Sequence, residues 1–152
     1  MTTTLTRIQK VVYLQAVDLF TYCNAEQMMR IAGIARQRNL AAGERVYSIN
    51  DPAEGMACVV EGTVQLRNTD GEVRRIGTRE TFGVYEILSD RLRREDAWAE
   101  SATVALVIDA EDFFDLLSNN VEIVKALFRQ LLRRNETSER FDATKAPQLA
   151  TG

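Results

Sequence analysis

The sequence predicts a mainly β domain, a sandwich or barrel of short strands, with helices before and after it. Three observations lead there. Between Leu40 and Ile108, short apolar or alternating runs recur at roughly ten-residue intervals, each closed by Gly, Asp or Asn. On either side of that stretch apolar residues recur at helical spacing instead. The length of 152 residues suits one domain with a sizeable core.

Residues 1–39 read as helices packed on the main domain. Leu5, Ile8, Val11 and Val12 share one helical face. A second helix starts after Asn24, a good N-cap, with Gln27 three residues on as its capping-box partner. Met28, Ile31, Ala32 and Ala35 form its apolar side.

Residues 40–108 carry the strands. Ala42-Gly43-Glu44 leads into Arg45–Ser48, and Asn50-Asp51-Pro52 turns the chain. Met56–Val60 is a continuous apolar run of strand length, closed by Glu61-Gly62. Thr63–Arg67 alternates, and Thr69-Asp70-Gly71 is a hairpin signal because Asp-Gly supplies the positive φ of a tight turn. Val73–Ile76 returns, and Ala97–Ile108 is long enough for two strands. Six to eight such strands imply a sandwich or barrel rather than a parallel α/β sheet.

Residues 109–135 are helical again. Asp109 is placed to cap Ala110–Leu117, and Asn119-Asn120 breaks that helix. A longer helix over 121–135 carries Val124, Leu127, Phe128, Leu131 and Leu132 on one side and Lys125, Arg129, Arg133 and Arg134 on the rest. The basic side reads as a solvated face, and the apolar stripe as core or as a partner helix in a homodimer. Residues 136–152 have little to bury and are expected to form a flexible tail.

Composition narrows the function. A net charge of −3 and 27% charged residues lack the basic footprint of a nucleic-acid binder. No apolar run reaches the eighteen or so residues that span a membrane. Two cysteines, Cys23 and Cys58, fit a reduced, cytoplasmic protein. The absence of histidine removes His-based general bases, Ser-His and Cys-His pairs, and nearly all zinc sites. GxxxxGK[ST], GxGxxG and CxxC are also missing, so no enzyme, metal or cofactor is expected.

The order of pieces resembles the cyclic-nucleotide-binding domain of bacterial catabolite regulators, cyclic-nucleotide-dependent kinases and gated channels. The resemblance runs from Val17 to Leu132. It rests on Ala42-Gly43-Glu44, Asn50-Asp51-Pro52, Val60-Glu61-Gly62-Thr63-Val64, Phe82-Gly83 and Val107-Ile108-Asp109. It implies a jelly-roll β-barrel (a double-stranded β-helix) flanked by N- and C-terminal helices.

It also implies a phosphate-binding cassette in TFGVYEILSDRLRRED, Thr81–Asp96. Family members read FGE, a few apolar residues, a short loop, then Arg-Ser/Ala-Ala-Thr. The resemblance makes Phe82, Gly83, Val84, Tyr85, Glu86, Arg93 and Arg94 the ligand-binding candidates. Arg93 lies at the interval of the phosphate arginine, and cAMP or cGMP are the implied ligands. Several positions depart from the pattern. Val84 replaces the glutamate that holds the ribose hydroxyl, and valine accepts no hydrogen bond. Arg79 replaces a glycine expected two residues after Gly77. Arg94-Glu95-Asp96 replaces the small residues, and Glu95 and Asp96 are expected to neutralise Arg93 and Arg94 in place of a ligand.

Three readings follow. The first is a second-messenger sensor with an altered ligand pocket. The second is a degenerate domain that binds no nucleotide and acts in protein interaction or oligomerisation. The third, half of a transcription regulator, fits poorly: about seventeen residues follow 135, too few for a helix-turn-helix domain. The N-terminal run LTRIQKVVYLQAVDLF resembles the lead-in to such domains in multidomain membrane carriers and signalling proteins, so an effector domain or membrane-carrier partner is an expected companion.

Overall fold

The computed structural model describes residues 4–145, with side chains through Glu136. Two short helices open the chain, α1 (Arg7–Leu14) and α2 (Ala25–Ile34), with a single 3-10 turn at Asp18–Phe20 between them. Both helices start with complete capping boxes. The Thr6 side chain accepts from the Gln9 amide while Gln9 reaches back, and Asn24 and Gln27 do the same for α2.

Eight strands follow: β1 (Ala35–Leu40), β2 (Arg45–Tyr47), β3 (Gly55–Glu61), β4 (Val64–Asn68), β5 (Val73–Ile76), β6 (Thr81–Phe82), β7 (Glu95–Ala99) and β8 (Thr103–Asp109). They form two four-stranded antiparallel sheets, in the orders β1-β8-β3-β6 and β2-β7-β4-β5. A third helix, α3 (Val84–Ser89), sits between β6 and β7. After β8 come α4 (Ala110–Ser118) and α5 (Val121–Lys145). The fold is the jelly roll flanked by helices that the resemblance implies.

The continuous apolar run of β3 has a simple cause: both its faces are covered. Met56, Cys58 and Val60 belong to a cluster shared with α1, α2, α4 and α5, whereas Ala57 and Val59 point between the sheets. β8 alternates in the same way, Leu106 and Ile108 toward the helices and Ala105 into the barrel. The barrel interior is closed by Val64, Leu66, Ile76, Phe82 and Ala97. The outer cluster seats Leu14, Met28, Ile31, Phe113 and Ile123, all 1% exposed or less, each worth about 1.5–3 kcal/mol of burial.

Three expectations are corrected here. Residues 35–39 are strand, not helix. Ala35-Arg36-Gln37-Arg38-Asn39-Leu40 has no strong β preference, and it is drawn into the sheet by pairing along its length with β8, from Ala35 opposite Ile108 to Leu40 opposite Thr103. Residues 136–145 are not a tail without structure, since the backbone of α5 continues through Lys145; the rest of the expected tail, 146–152, lies outside the described residues. The buried side of α5 is Ile123, Ala126, Leu127 and Gln130, so only Leu127 of the expected stripe is fully enclosed. Phe128 and Leu132 face outward, 59% and 61% exposed.

Candidate functional site

The cassette is built on a tight backbone. Phe82 ends β6 with its ring inside the barrel, 4% exposed. Gly83 then takes φ +85° and starts α3, a single short helix. A side chain at Gly83 would be tight: an added Cβ would stand 3.1 Å from both the Gly55 carbonyl oxygen and Arg93 Nη1, so its neighbours would have to give by a few tenths of an ångström. Glycine is needed here both for the left-handed turn and for the arginine that lies against it.

Arg93 is held from every side. Its backbone joins the Asn50-Asp51-Pro52 turn, with Arg93 N donating to the Asp51 carbonyl at 2.9 Å and Asn50 N donating to the Arg93 carbonyl at 2.8 Å. Its guanidinium donates through Nη1 to the Gly83 carbonyl at 2.8 Å and to Glu86 Oε1 at 3.0 Å, and through Nη2 to the Gly55 carbonyl. The Tyr47 ring covers it, with Cζ 4.1 Å from the ring centroid. Only 3% of Arg93 is exposed, and its Nε has no hydrogen-bond partner. Burial pushes the Tyr47 phenol up to about 12, with Arg93 opposing the shift.

Glu86 is buried as well, and its second oxygen, Oε2, accepts from Arg94 Nε at 3.3 Å. Arg94 is half exposed and stacks on Tyr85, 4.0 Å from Cζ to the ring centroid. One carboxylate therefore serves both cassette arginines. The expectation that Glu95 and Asp96 neutralise Arg93 and Arg94 is overturned. Glu95 pairs with Arg74 at 3.0 Å, and Asp96 pairs with Arg45 at 3.3 Å and accepts from Ile49 N. Both belong to β7, and their side chains reach Arg45 on the adjacent strand β2 and Arg74 on β5, one strand beyond β4, rather than turning back to the cassette. The hydrogen bond from Arg74 to Glu95 raises the Arg74 pKa. Sequence reasoning named Glu86 but missed its task; the available signal was one acid inside the apolar run Val84-Tyr85-Glu86-Ile87-Leu88.

A cavity of about 570 Å³ lies between the cassette, the second sheet and α5. Six of the seven predicted site residues line it: Phe82, Gly83, Val84, Tyr85, Glu86 and Arg94. Arg93 does not. It lines instead a second cavity of about 370 Å³, beside Tyr47, Gly55 and Val107, which shares Phe82 with the first. The larger cavity has an apolar floor of Leu19, Ile76, Phe82 and Val84, and α5 adds Leu131 and Arg134. Its remaining arginines are Arg74, Arg79 and Arg94. Arg79 was identified from the sequence only as a missing glycine, and its backbone keeps the glycine-like conformation, φ +70°. Among the described residues, no group of three or more His, Cys, Asp or Glu is placed to hold a metal.

Asp109 precedes α4 as predicted, yet its side chain makes no cap; it accepts two hydrogen bonds from Arg36 across β1 and β8. Among the described residues, no helix is long and apolar enough to cross a membrane.

Comparison with known proteins agrees with this geometry. Residues 37–120 match the family model of the cyclic nucleotide-binding domain. The chain is 29% identical over 119 residues to a cyclic nucleotide-gated potassium channel of Mesorhizobium japonicum, covering 78% of this chain and 33% of the channel. It is 26% identical over 117 residues to the cAMP-dependent protein kinase type II regulatory subunit of Drosophila melanogaster, covering 74% of this chain and 31% of that subunit. The chain thus spans about a third of the length of these curated relatives. Among solved structures, the N-terminal domain of a transcriptional regulator from Streptomyces coelicolor A3(2) superposes with a TM-score of 0.74 at 25% identity, over 83% of this chain and 94% of that one. The family model covers more than half of the chain and the jelly roll agrees with it, so the chain belongs to the cyclic nucleotide-binding domain family.

Proposed function

We propose that this domain is a non-enzymatic regulatory sensor whose pocket, the larger cavity, is altered away from ordinary cyclic-nucleotide recognition. One observation carries the reading. The cavity stays open at the cassette while Arg93 is turned out of it and enclosed by Glu86, Gly83, Gly55 and Tyr47. A cyclic phosphate reaching Arg93 would have to displace a buried carboxylate, and removing one partner of such a pair is strongly unfavourable. Val84 likewise offers no acceptor for a ribose hydroxyl. The ligand is a cyclic nucleotide held by other contacts, or another phosphorylated small molecule. The sensor acts in the cytoplasm and passes its signal to an effector domain or partner protein.

A second reading, a module that binds no nucleotide and acts by protein interaction or oligomerisation, is favoured by one separate feature. Phe128 and Leu132 stand exposed one helical turn apart on α5, a surface that a second copy of the chain would cover in a homodimer. No nucleic acid is bound in either reading.

A thermal-shift screen against cAMP, cGMP, cyclic dinucleotides and linear monophosphates separates the two. A ligand at a hundred times its dissociation constant stabilises the fold by about 2.7 kcal/mol, which is a rise of roughly 5–10 °C. A shift with any of these establishes the sensor. Flat curves at millimolar ligand together with a concentration-dependent dimer establish the second reading.

A further inference from the structure

The cavity contains four arginines, and three of them are already committed. Arg74 pairs with Glu95 at 3.0 Å, Arg94 with Glu86 at 3.3 Å, and Arg134 with Asp18 at 3.3 Å. Arg79 is different: it lines the cavity, is exposed, and its guanidinium has no hydrogen bond or ion pair with any described residue. Its neighbour Glu80 also lines the cavity, with Oε1 accepting from Gly77 N at 2.7 Å within the same turn and no ion pair to Arg79.

The backbone shows that this arginine is held in place. Arg79 adopts φ +70°, a region where a side chain is strained and glycine is not. The turn is pinned there by Arg79 N donating to the Val59 carbonyl at 2.7 Å and by Glu80 N donating to Gly77. A strained, non-glycine residue kept in the lining of a cavity is the kind of outlier that points to a site.

We infer that Arg79, not Arg93, is the residue of this pocket that recognises an anion. This inference rests on the reading of the cavity as a ligand site. An anion meeting Arg79 displaces no carboxylate, whereas at Arg93 or Arg94 it would compete with Glu86. The apolar floor beneath, Leu19, Ile76, Phe82 and Val84, fits the uncharged body of the same ligand. The ligand class is therefore a small organic anion, phosphate or carboxylate, whose charge meets Arg79 and whose planar or apolar body packs on Leu19, Ile76, Phe82 and Val84.

The test uses the full chain, the variants Arg79→Gly and Arg79→Lys, and three probes: cAMP, AMP and inorganic phosphate. Arg79→Gly relieves the left-handed strain, so its unfolding temperature should rise by about 2–4 °C. Titration calorimetry with the nucleotides should show at least a tenfold loss of affinity in Arg79→Gly and a smaller loss in Arg79→Lys. In the wild type, the Arg79 Nε–H resonance should shift on binding while that of Arg93 stays still. Unchanged affinity in Arg79→Gly, or movement of Arg93 in place of Arg79, overturns the inference. If neither nucleotide binds the wild type, the nucleotide part of the functional reading fails and phosphate decides this one. A saturable shift at Arg79 supports it, and an unsaturable drift shared by all exposed arginines overturns it.

Discussion

Arg93 and Glu86 are seven residues apart in sequence and 3.0 Å apart in space, with side chains 3% and 7% exposed. Charges this enclosed behave unlike surface pairs, because each depends on the other for compensation. The relationship makes the cassette stable in the absence of an added anion.

Breaking the pair should therefore be costly, and replacing both partners should not. Glu86→Ala is expected to destabilise the domain by about 3–5 kcal/mol, lowering the unfolding temperature by roughly 10 °C. Glu86→Leu combined with Arg93→Met should lie within about 1 kcal/mol of the wild type, since apolar replacement of a buried pair is often neutral or better. Urea titration of the three proteins is the check. A Glu86→Ala protein as stable as the wild type would mean the pair does not hold the cassette.

Val84→Glu tests the proposal that the pocket is altered at the sugar contact. Val84 is only partly buried at the edge of the core, so a longer polar side chain has access to the cavity. One regained hydrogen bond to a ribose hydroxyl, about 1–3 kcal/mol, should favour cAMP over its 2′-deoxy analogue by fivefold or more. Equal binding of the two would show that position 84 no longer faces the sugar.

Alkaline pH should weaken the fold in a defined window. The Tyr47 phenol titrates at about 12 instead of near 10, and the Cys58 thiol at about 11 instead of near 9, both raised by burial. The folded state thus keeps protons that the unfolded chain releases. This stability is fully present below pH 9 and declines as pH rises toward 12, by at most about 1.4 kcal/mol per pH unit for each group. Chemical unfolding at pH 8 and pH 10.5 measures the fall. Tyr47→Phe should flatten it above pH 10, and an identical slope in that variant would exclude Tyr47 as a source.

Trp98 should be silent to a ligand in the cavity. It alternates with the inward-facing Ala97 and Ala99 on β7, lies under Arg67 at 5.2 Å from Cζ to the ring centroid, and does not line the larger cavity. Arg67→Ala should alter its emission, whereas a saturating ligand detected by calorimetry should not. A ligand-dependent emission change would place binding on the outer face of the second sheet.

Much of the fold was legible because it rests on local chemistry. Asn24 with Gln27 marked the start of α2, and the turn residues Asn50-Asp51-Pro52, Asp70-Gly71 and Asn119-Asn120 fell where the chain reverses or breaks. β1 was not legible, because Arg36, Gln37, Arg38 and Asn39 become strand only through β8, about seventy residues away. The rotation of α5 was hidden for a related reason. Gln130 is buried because its Nε2 donates to Asp18 at 2.8 Å, a partner 112 residues distant. In the site, six of the candidates named from the sequence, Phe82, Gly83, Val84, Tyr85, Glu86 and Arg94, line one cavity, and Arg93 lines the other. Chain adjacency favoured Glu95 and Asp96 as its partners, while the turn of α3 brings Glu86 there instead.

Gln130 and Arg134 of α5 both reach Asp18, while Arg129 stacks on Tyr22 and Arg133 donates to the Tyr22 hydroxyl. The same helix supplies Leu131 and Arg134 to the cavity wall. The wall and the N-terminal segment are thus bolted to one lever, and a tilt of α5 that widens or narrows the cavity carries residues 18–22 with it. Occupancy of the cavity would then be readable from amide exchange at residues 18–22, part of which lines the cavity, and Tyr22→Ala, outside the cavity lining, should weaken that readout.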